Sequence, residues 1–511
     1  MQQFIERHRE KITGVLGCFD RVVFHGYLPL SYPARMWMFL NQHGVLGQAF
    51  TGFVTTQALR LKEHAEATAQ RAGRPYQFLR GYVRKEELAR QLAERDGITR
   101  GLVCVLTAVE PCRTFAWRYA QPRPQLIMAR RQCLFVYYYF MDRDFGLMHV
   151  RIQTWFPMQI QVCVNGHEWL ARKLDRQAIA YHKIDNAFTW IADCPRAQRF
   201  ADRFVKLNWP RLLDAFARKV NPLLADLLSQ WPYYWVTDQS EYATDVMFKD
   251  PASLHSLYPK LLRHSTLCFG AEDVLTFLGR KLHGLFLGEV VNDCKRRLPG
   301  ARVKHRVSEN WMKMYDKHGC VLRVETVINR PYQFKIRRTG QRHGQVVKGW
   351  YPLTKRVTNL YRYAQIGQQA NARYLQALAA VVDPTASYQL LDTLCAARKV
   401  NGRSRRGFNP VAPNDVTLFA AVLRGEHTLH GFRNAQLQPH LFPHPAKNPV
   451  DQRRRSARVT RLLHRLHAHQ LIAKIPRTRR YRVTTRGSLI LSAAIHLREE
   501  GMPKLLQALA A

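Results

Sequence analysis

Two carboxylates near the middle of the chain lie in a strongly basic stretch. Residues 311–326 read WMKMYDKHGCVLRVET, and the His-Gly pair predicts a two-residue hairpin turn. Strand alternation then puts Asp316, Arg323 and Glu325 on one face. Residues 301–360 contain 14 Lys and Arg against 3 Asp and Glu. Two carboxylates on one face of a basic hairpin predict a site for Mg²⁺ or Mn²⁺, which would activate water for phosphodiester cleavage.

A third ligand is expected from another strand-like stretch, GCFDRVVFHG, which contains Asp20. The catalytic candidates are therefore Asp20, Asp316 and Glu325, with Asp316 and Glu325 as metal ligands. The alternative is a structural ion-pair cluster of Asp316, Arg323 and Glu325, which needs no metal. Weaker carboxylate candidates are Asp142, Glu168 and Asp245.

The overall charge points to a polyanionic partner. The 511 residues include 79 Lys and Arg against 37 Asp and Glu, a net charge of +42 with a pI near 10.4. Such an excess repels itself in a compact fold unless a polyanion neutralises it. Hydrophobic residues make up 46% of the chain, which indicates a globular protein. We expect nucleic acid as the partner and not a membrane, because neither terminus has a long basic amphipathic helix.

Other function classes lack their motifs. There is no phosphate-binding glycine loop and no G-x-S-x-G, which disfavours ATPases, kinases, dinucleotide oxidoreductases and serine hydrolases. The ten cysteines include no C-x-x-C pair, and no signal peptide or membrane-length apolar run is apparent. A cytoplasmic protein with reduced thiols is predicted. A zinc site is a minor alternative, formed by Cys133, His149, Cys163 and His167.

Composition divides the chain into regions. Residues 1–205 mix strand and helix patterns, and 206–398 combine helices with the hairpin. A Gly-, Pro- and Arg-rich stretch, 399–413, is typical of a linker and precedes a last domain, 414–511. The predicted fold class is α+β, a mixed α/β body with a C-terminal winged helix-turn-helix domain. Strands are predicted within 14–28, 133–140 and 147–164, and a long helical stretch over 271–298.

The last domain contains a helix with two different sides. Val459, Leu462, Leu463 and Leu466 follow the i, i+3, i+4, i+7 spacing of a buried stripe. Arginines occupy the other faces of this helix. A hairpin with a basic tip follows, and then an apolar helix. The DNA-binding candidates on the helix and the tip are Arg454, Arg458, Arg461, Arg465, Arg477, Arg479 and Arg480.

A winged helix has this order of elements: two helices, a basic third helix, a hairpin and a last helix. Its third helix fits the major groove of double-stranded DNA. Residues 401–511 contain 20 Lys and Arg against 5 Asp and Glu. The segment SARVTRLLHRLHAHQLIAKIPRTRRYRVTTRG resembles the recognition helix and wing of MarR-type winged-helix regulators. This resemblance implies DNA binding by about a fifth of the chain.

Two further resemblances concern the rest of the chain. KMYDKHGCVLRVET is similar to a strand pair of filamentous-phage and plasmid replication initiators. Those proteins cut DNA with a tyrosine and a His-hydrophobic-His metal motif. The one such triplet here, His467-Ala468-His469, ends the predicted recognition helix, so that mechanism is not carried over. Stretches including GCFDRVVFHGYL and EYATDVMF resemble a family of bacterial proteins of similar length, which implies architecture and no activity.

These observations predict a DNA-binding protein of a mobile or replicating element, of the transposase, nuclease or initiator class. The enzymatic interpretation requires a metal-dependent site. One alternative is a non-enzymatic MarR-like transcriptional regulator whose body senses a ligand, and a second is an RNA-binding protein. An oligomer is compatible with each of them.

Overall fold

A computed structural model describes residues 1–118, 125–280, 290–297, 300–342, 344–381, 387–400, 402–427, 431–476 and 478–503. This part of the chain is a mixed α/β structure with a large, mostly antiparallel sheet. The α+β body predicted from the sequence is thereby confirmed at the level of fold class. Among the described residues no helix is long and apolar enough to cross a membrane.

The strands have the following bounds. They are β1 (Ile12–Tyr27), β2 (Tyr76–Phe78), β3 (Gly101–Arg118), β4 (Gln125–Asp142), β5 (Gly146–Gln153), β6 (Ile160–Asn165), β7 (Tyr181–Ile184), β8 (Ala187–Ile191), β9 (Tyr234–Phe248), β10 (Val290–Arg297), β11 (Gly300–Val307), β12 (Asn310–Lys317), β13 (Val321–Ile328), β14 (Lys335–Arg342), β15 (Gln345–Pro352), β16 (Arg398–Val400), β17 (Arg403–Arg405), β18 (Ile472–Lys474) and β19 (Tyr481–Val483).

The α-helices lie between them. They are α1 (Gln2–Arg7), α2 (Pro33–Gln42), α3 (Phe50–Arg71), α4 (Lys85–Arg95), α5 (Gly166–Asp175), α6 (Cys194–Ala201), α7 (Trp209–Val220), α8 (Pro251–Leu267), α9 (Ala271–Phe277), α10 (Leu360–Leu378), α11 (Ser387–Cys395), α12 (Pro413–Val422), α13 (Asn434–Leu441), α14 (Pro449–Ala468) and α15 (Thr485–His496).

The chain forms two compact units, and each unit combines segments that are separated in the sequence. Unit 1 comprises residues 1–13, 246–324 and 369–511, and unit 2 comprises 14–245 and 325–368. The domain boundaries predicted from composition stay predictions.

Unit 2 is built on a sheet whose strands are hydrogen-bonded in the order β13-β9-β1-β6-β5-β4-β3-β2. The β1/β6, β6/β5, β5/β4 and β4/β3 pairs are antiparallel, and β2 lies parallel to β3. The aromatic and β-branched stretches 14–28 and 133–140 fall in β1 and β4, as predicted. The alternating stretch 147–164 falls in β5 and β6, which are separated around Pro157. Large apolar side chains such as Phe24 and Tyr138 are fully buried along this sheet.

Unit 1 contains the order β10-β11-β12-β13 and the helices α8 and α9. The helical stretch predicted over 271–298, with a possible interruption at Gly284 and Gly288, is wrong where the structure describes it, because α9 ends at Phe277 and Val290–Arg297 is a strand. Residues 281–289 and 298 lie outside the described residues. Gly279 has φ +72°, and the Arg280 N–H donates to the Leu275 carbonyl across the helix end, a glycine-terminated C-cap. The acidic residues Glu272 and Asp273 therefore belong to a short helix, and the basic residues 295–297 belong to a strand.

In unit 1, the described residues of α12, α13, α14, α15 and the β18/β19 hairpin share one hydrophobic core with Leu391 and Leu394 of α11. In α14, Val459, Leu463 and Leu466 are 0–2% exposed, and Leu462 packs against them. This is the stripe that the spacing predicts. Phe408, in the predicted linker 399–413, belongs to the same core. Just before it, β16 and β17 pair with each other.

Candidate functional site

Three carboxylates meet in the sheet of unit 2. Asp20 lies in β1, Glu241 in β9 and Glu325 in β13, which are consecutive strands of the sheet. One oxygen of each carboxylate lies within 4.8 Å of the others. The three residues are 6%, 4% and 1% exposed. The structure thus brings the predicted Asp20 and Glu325 together and adds Glu241, which sequence reasoning missed. We call these three residues the acidic cluster.

Strand geometry explains why these residues converge. Neighbouring strands lie about 4.8 Å apart, so residues at one level and on one face of consecutive strands have adjacent side chains. Glu241 and Asp245 are four residues apart in β9, and a period of two puts them on the same face. Three buried carboxylates at this spacing repel one another and require a positive charge or a proton for compensation.

A buried imidazole links the cluster to a fourth acid. His167 is 1% exposed, with Nδ1 lying 3.3 Å from Asp20 Oδ1 and Nε2 lying 3.2 Å from Asp245 Oδ2. A histidine held between two carboxylates fixes the orientation of both. His167 is thereby a positioning residue for Asp20.

The first turn of α5 supports the same carboxylate. Asn165 caps this helix, because its Oδ1 accepts hydrogen bonds from the backbone N–H of His167 and Glu168 at 2.8 and 3.1 Å. Its Nδ2 also donates to Asp20 Oδ1 at 3.4 Å, and Asn186 Nδ2 donates to that oxygen at 2.7 Å. The Asn165-Gly166 pair thus begins a helix and does not form a hairpin turn.

Gly166 allows α5 to start directly against β1. A Cβ at this position would lie 2.2 Å from the Phe19 carbonyl oxygen, a distance that no side chain tolerates. The segment Asn165-Gly166-His167 therefore combines a helix cap, a close backbone approach and the imidazole beside Asp20. These three roles explain the residue types found at positions 165–167.

Cationic and amide groups offset part of the charge. The Arg21 guanidinium lies 3.1 Å from Glu241 Oε1, and Gln239 Nε2 donates to the same oxygen at 2.6 Å. Burial alone would lower the pKa of Arg21, but the Glu241 carboxylate raises it above its usual value. The guanidinium therefore stays charged.

A cleft of about 350 Å³ lies in unit 2. Asn165 and Asn186, the two amides bonded to Asp20, line it together with Arg90, Arg172 and the acids Glu86, Glu94 and Glu168. The oxygen-only donors of the acidic cluster fit a hard divalent cation such as Mg²⁺ or Mn²⁺.

The prediction that Asp316 shares a metal with Glu325 is wrong. Asp316 Oδ1 accepts a hydrogen bond from the Gly319 N–H at 2.9 Å, which braces the turn between β12 and β13. His318 and Gly319 have φ +57° and +78°, as a two-residue type I′ turn requires. Glu325 lies four residues beyond the start of β13, or about 13 Å at ~3.3 Å per residue. Strand alternation predicts the face of the sheet on which a side chain lies, but it does not predict which side chains lie at the same height along neighbouring strands.

The weaker candidates have separate roles. Asp142 Oδ1 accepts hydrogen bonds from the N–H groups of Asp144 and Phe145 in the turn before β5. Glu168 forms an ion pair with Lys183. In the part that the structure describes, the proposed zinc ligands Cys133, His149, Cys163 and His167 do not form a close group.

The predicted DNA-binding arginines of α14 divide into two sets. Arg454, Arg458 and Arg461 are exposed. Arg465 is buried, with its guanidinium 3.2 Å from Asp415 and stacked 3.7 Å over the Phe408 ring. Its assignment to DNA is therefore wrong, because residues 406–408 cover the helix at this turn and Arg465 donates to their carbonyls.

The hairpin tip is partly described. Arg479 is exposed, and the half-buried Arg480 donates from Nη1 to the Gly431 carbonyl at 2.9 Å. Arg477 lies outside the described residues. His469, from the His-Ala-His triplet, is buried and bonded through Nε2 to the Arg406 carbonyl at 3.1 Å, which makes it a structural residue.

Comparison of the chain with protein-family models, curated proteins and solved structures finds no match.

Proposed function

We propose that the protein binds DNA and cleaves or transfers phosphodiester bonds, with a divalent cation held by Asp20, Glu241 and Glu325. The observation that carries this proposal is the convergence of three buried carboxylate oxygens within 4.8 Å, from three strands of a chain with net charge +42. Such a protein would serve a mobile or replicating element as a nuclease, transposase or initiator.

In this proposal each residue of the site has a defined task. The three carboxylates hold Mg²⁺ or Mn²⁺, which when bound lowers the pKa of a coordinated water molecule and stabilises charge on a phosphate. Asn165, Asn186 and His167 fix the orientation of Asp20 through the contacts at its Oδ1. Arg21 limits repulsion at Glu241.

DNA recognition is assigned to residues 413–503 as a winged helix. The element order α12, α13, α14, β18/β19, α15 supports this assignment. So does the division of α14 into a buried apolar stripe and an exposed face with Arg454, Arg458 and Arg461. In this proposal α14 enters the major groove, and the hairpin tip with Arg479 contacts backbone phosphate.

Cleavage of supercoiled plasmid and labelled duplexes tests the catalytic part. The wild type should nick DNA with Mg²⁺ or Mn²⁺ and not with EDTA. Asp20→Asn and Glu325→Gln should reduce cleavage to the level without metal and weaken Mn²⁺ binding in a calorimetric titration. Both variants keep the side-chain size and should still bind duplex DNA.

Asp316→Asn is the matched control. This acid is also half-buried in a strand of the same hairpin, but it braces a turn, so cleavage should remain near the wild-type level. If no DNA substrate is cut by the wild type with either metal, or if Asp20→Asn cuts equally well, the catalytic proposal is wrong.

A ligand-responsive regulator is the second candidate. The observation that favours it is a cleft of about 880 Å³ in unit 1, lined by Lys260, Arg263, Arg424 and Arg498 together with the acids Glu499 and Glu500. A cleft of this volume with both cationic and acidic side chains would suit a polar small molecule. Duplex affinity that changes on addition of such a molecule, with no cleavage by the wild type, would favour the regulator.

A further inference from the structure

A second group of potential ligands lies in unit 1. Single side-chain atoms of Glu426, His427 and His440 lie within 4.8 Å of one another. His440 Nε2 lies 3.3 Å from Glu426 Oε1, and His427 Nε2 lies 3.5 Å from the same oxygen. Two imidazoles thus converge on one carboxylate oxygen. We call these three residues the histidine cluster.

The state of His427 is the second observation. Its side chain is 1% exposed, and neither ring nitrogen has a hydrogen-bond partner among the described residues. Burying an imidazole with both nitrogens unsatisfied is destabilising, because the desolvation of each nitrogen is not compensated. A metal ion bound at Nε2 would satisfy the nitrogen that faces Glu426.

The surrounding acids also favour a cation. Glu272, in the first turn of α9, is in hydrogen-bond contact with the Glu426 carboxylate. Two adjacent carboxyl groups retain one proton between them unless a cation takes its place. Arg424 Nε, 3.3 Å from Glu426 Oε1, supplies part of that charge.

The backbone of the site is fixed. Asp273 is fully buried in α9, and its Oδ1 accepts a hydrogen bond from the Glu426 N–H at 2.7 Å. Its Oδ2 accepts from the Gly270 N–H at 2.7 Å. One carboxylate therefore ties the start of α9 to the segment that carries Glu426 and His427. The chain position of two ligands is thus determined before any metal binds.

We propose that Glu426, His427 and His440 bind a first-row divalent transition metal of the zinc type, with Glu272 as the fourth ligand. Neutral imidazole with carboxylate is a donor set that Zn²⁺ accepts in tetrahedral sites, whereas Mg²⁺ prefers oxygen alone. Bound zinc would join α9, the segment after α12 and the end of α13. Its role would be structural.

Zinc content of the full-length chain tests the proposal. EDTA-stripped protein is dialysed against Zn²⁺ in excess Mg²⁺, which occupies oxygen-only sites, and the retained metal is measured by mass spectrometry. The wild type should retain one zinc ion per chain and should unfold at a higher temperature with zinc than without. His440→Ala should weaken zinc binding by more than about 100-fold, because even outer-shell partners contribute 10–100-fold. His444→Ala, at an exposed histidine of the same unit, should bind zinc like the wild type.

X-ray absorption on the zinc-loaded wild type gives a readout that needs no variant. Two imidazoles and carboxylate oxygens are the expected ligands. Failure of the wild type to retain zinc, oxygen-only coordination, or equal binding by His440→Ala would each overturn the proposal. None of these results depends on DNA cleavage by the acidic cluster.

Discussion

The acidic cluster of unit 2 and the helix α14 of unit 1 place charge in opposite ways. In the acidic cluster, Asp20, Glu241 and Glu325 lie inside a sheet and are at most 6% exposed. In α14 the arginines 454, 458 and 461 face solvent, while Val459 and Leu466 are fully buried. The acidic cluster thus buries charged side chains, whereas α14 exposes its charged side chains and buries its apolar ones.

This difference determines how much supporting structure each region needs. A buried carboxylate is costly unless amides, a cation or a proton compensate it, and Asp20 accordingly has Asn165, Asn186 and His167 around it. An exposed arginine is solvated by water and needs no protein partner. Substitutions around the buried charges should therefore change folding and chemistry, whereas those on the exposed face should change only binding, in a salt-dependent way.

The largest effect is expected for Gly166→Ala. The new Cβ would lie 2.2 Å from the Phe19 carbonyl oxygen, so α5 must move away from β1 and take Asn165 and His167 with it. Overpacking of this kind costs about 3 kcal/mol of unfolding free energy. Urea denaturation should show this loss, and metal-dependent cleavage should fall with it.

Gly52→Ala is the control for Gly166→Ala. Gly52 lies in α3 with open space where a Cβ would stand, so alanine should stabilise the protein by about 0.5–1 kcal/mol. Equal stability of the wild type and Gly166→Ala would show that α5 is not held against β1.

Arg465→Ala tests the one buried arginine of α14. The substitution leaves Asp415 and the carbonyls of Arg406 and Gly407 without this guanidinium, at a cost of about 3 kcal/mol. Arg461→Ala, one turn earlier and exposed, should change stability by less than about 0.5 kcal/mol. Thermal unfolding of both variants measures the difference. Equal stabilities would contradict the burial of Arg465.

His305 is a buried histidine that must be neutral in the folded protein, which predicts a pH dependence of stability. It is fully buried in unit 1, with Nδ1 2.8 Å from Asn292 Oδ1 and Nε2 2.9 Å from the Tyr374 hydroxyl. Burial lowers the pKa of His305 to about 4 from 6.5. The unfolded chain therefore binds a proton first, and stability is lost as the pH falls from about 6.5 to 4, by up to about 3 kcal/mol.

Denaturation curves across this pH range measure the loss. His305→Gln keeps a donor and an acceptor without the titration, so its stability should depend less on pH than that of the wild type. The exposed His444→Gln should retain the full dependence. A wild-type dependence unchanged by His305→Gln would contradict the assignment.

The local elements were predictable from sequence because their determinants are local. The residue types of β1 and β4, the positive φ of the His318-Gly319 turn and the leucine stripe of α14 each depend on a few neighbouring positions. The same is true of Asp20 as a candidate, since its strand stands out by composition. What these patterns lack is any information on which residues of distant segments lie side by side.

The errors at the candidate sites concern such distant relations, whereas the helical stretch predicted over 271–298 failed locally, at the glycine that ends α9. Asp316 shares a strand face with Glu325 by alternation, yet the partners of Glu325 come from β1 and β9. The position of Arg465 in the helical repeat, outside the apolar stripe, predicts a solvent-exposed side chain, but residues 406–408 cover it. Glu241 was missed although Glu241 and Asp245 have the i, i+4 spacing that puts both on one strand face. A search for paired acids on strand-like stretches would have found it.

The smallest effect is expected on the exposed face of α14. Arg458→Ala and Arg461→Ala should change the unfolding free energy by less than about 0.5 kcal/mol and weaken binding to duplex DNA, because each removes one exposed cation and leaves the buried apolar stripe intact. A phosphate contact contributes about one to the slope of log affinity against log salt concentration, so each variant should lower that slope by about 1 and should converge with the wild type at high salt. Fluorescence anisotropy across a salt series measures both quantities, with Arg35→Ala, at an exposed arginine of α2 outside residues 413–503, as the control. Wild-type affinity and slope in both α14 variants would move DNA binding away from this helix, whereas a loss that persists at high salt would indicate a base contact in place of a phosphate contact.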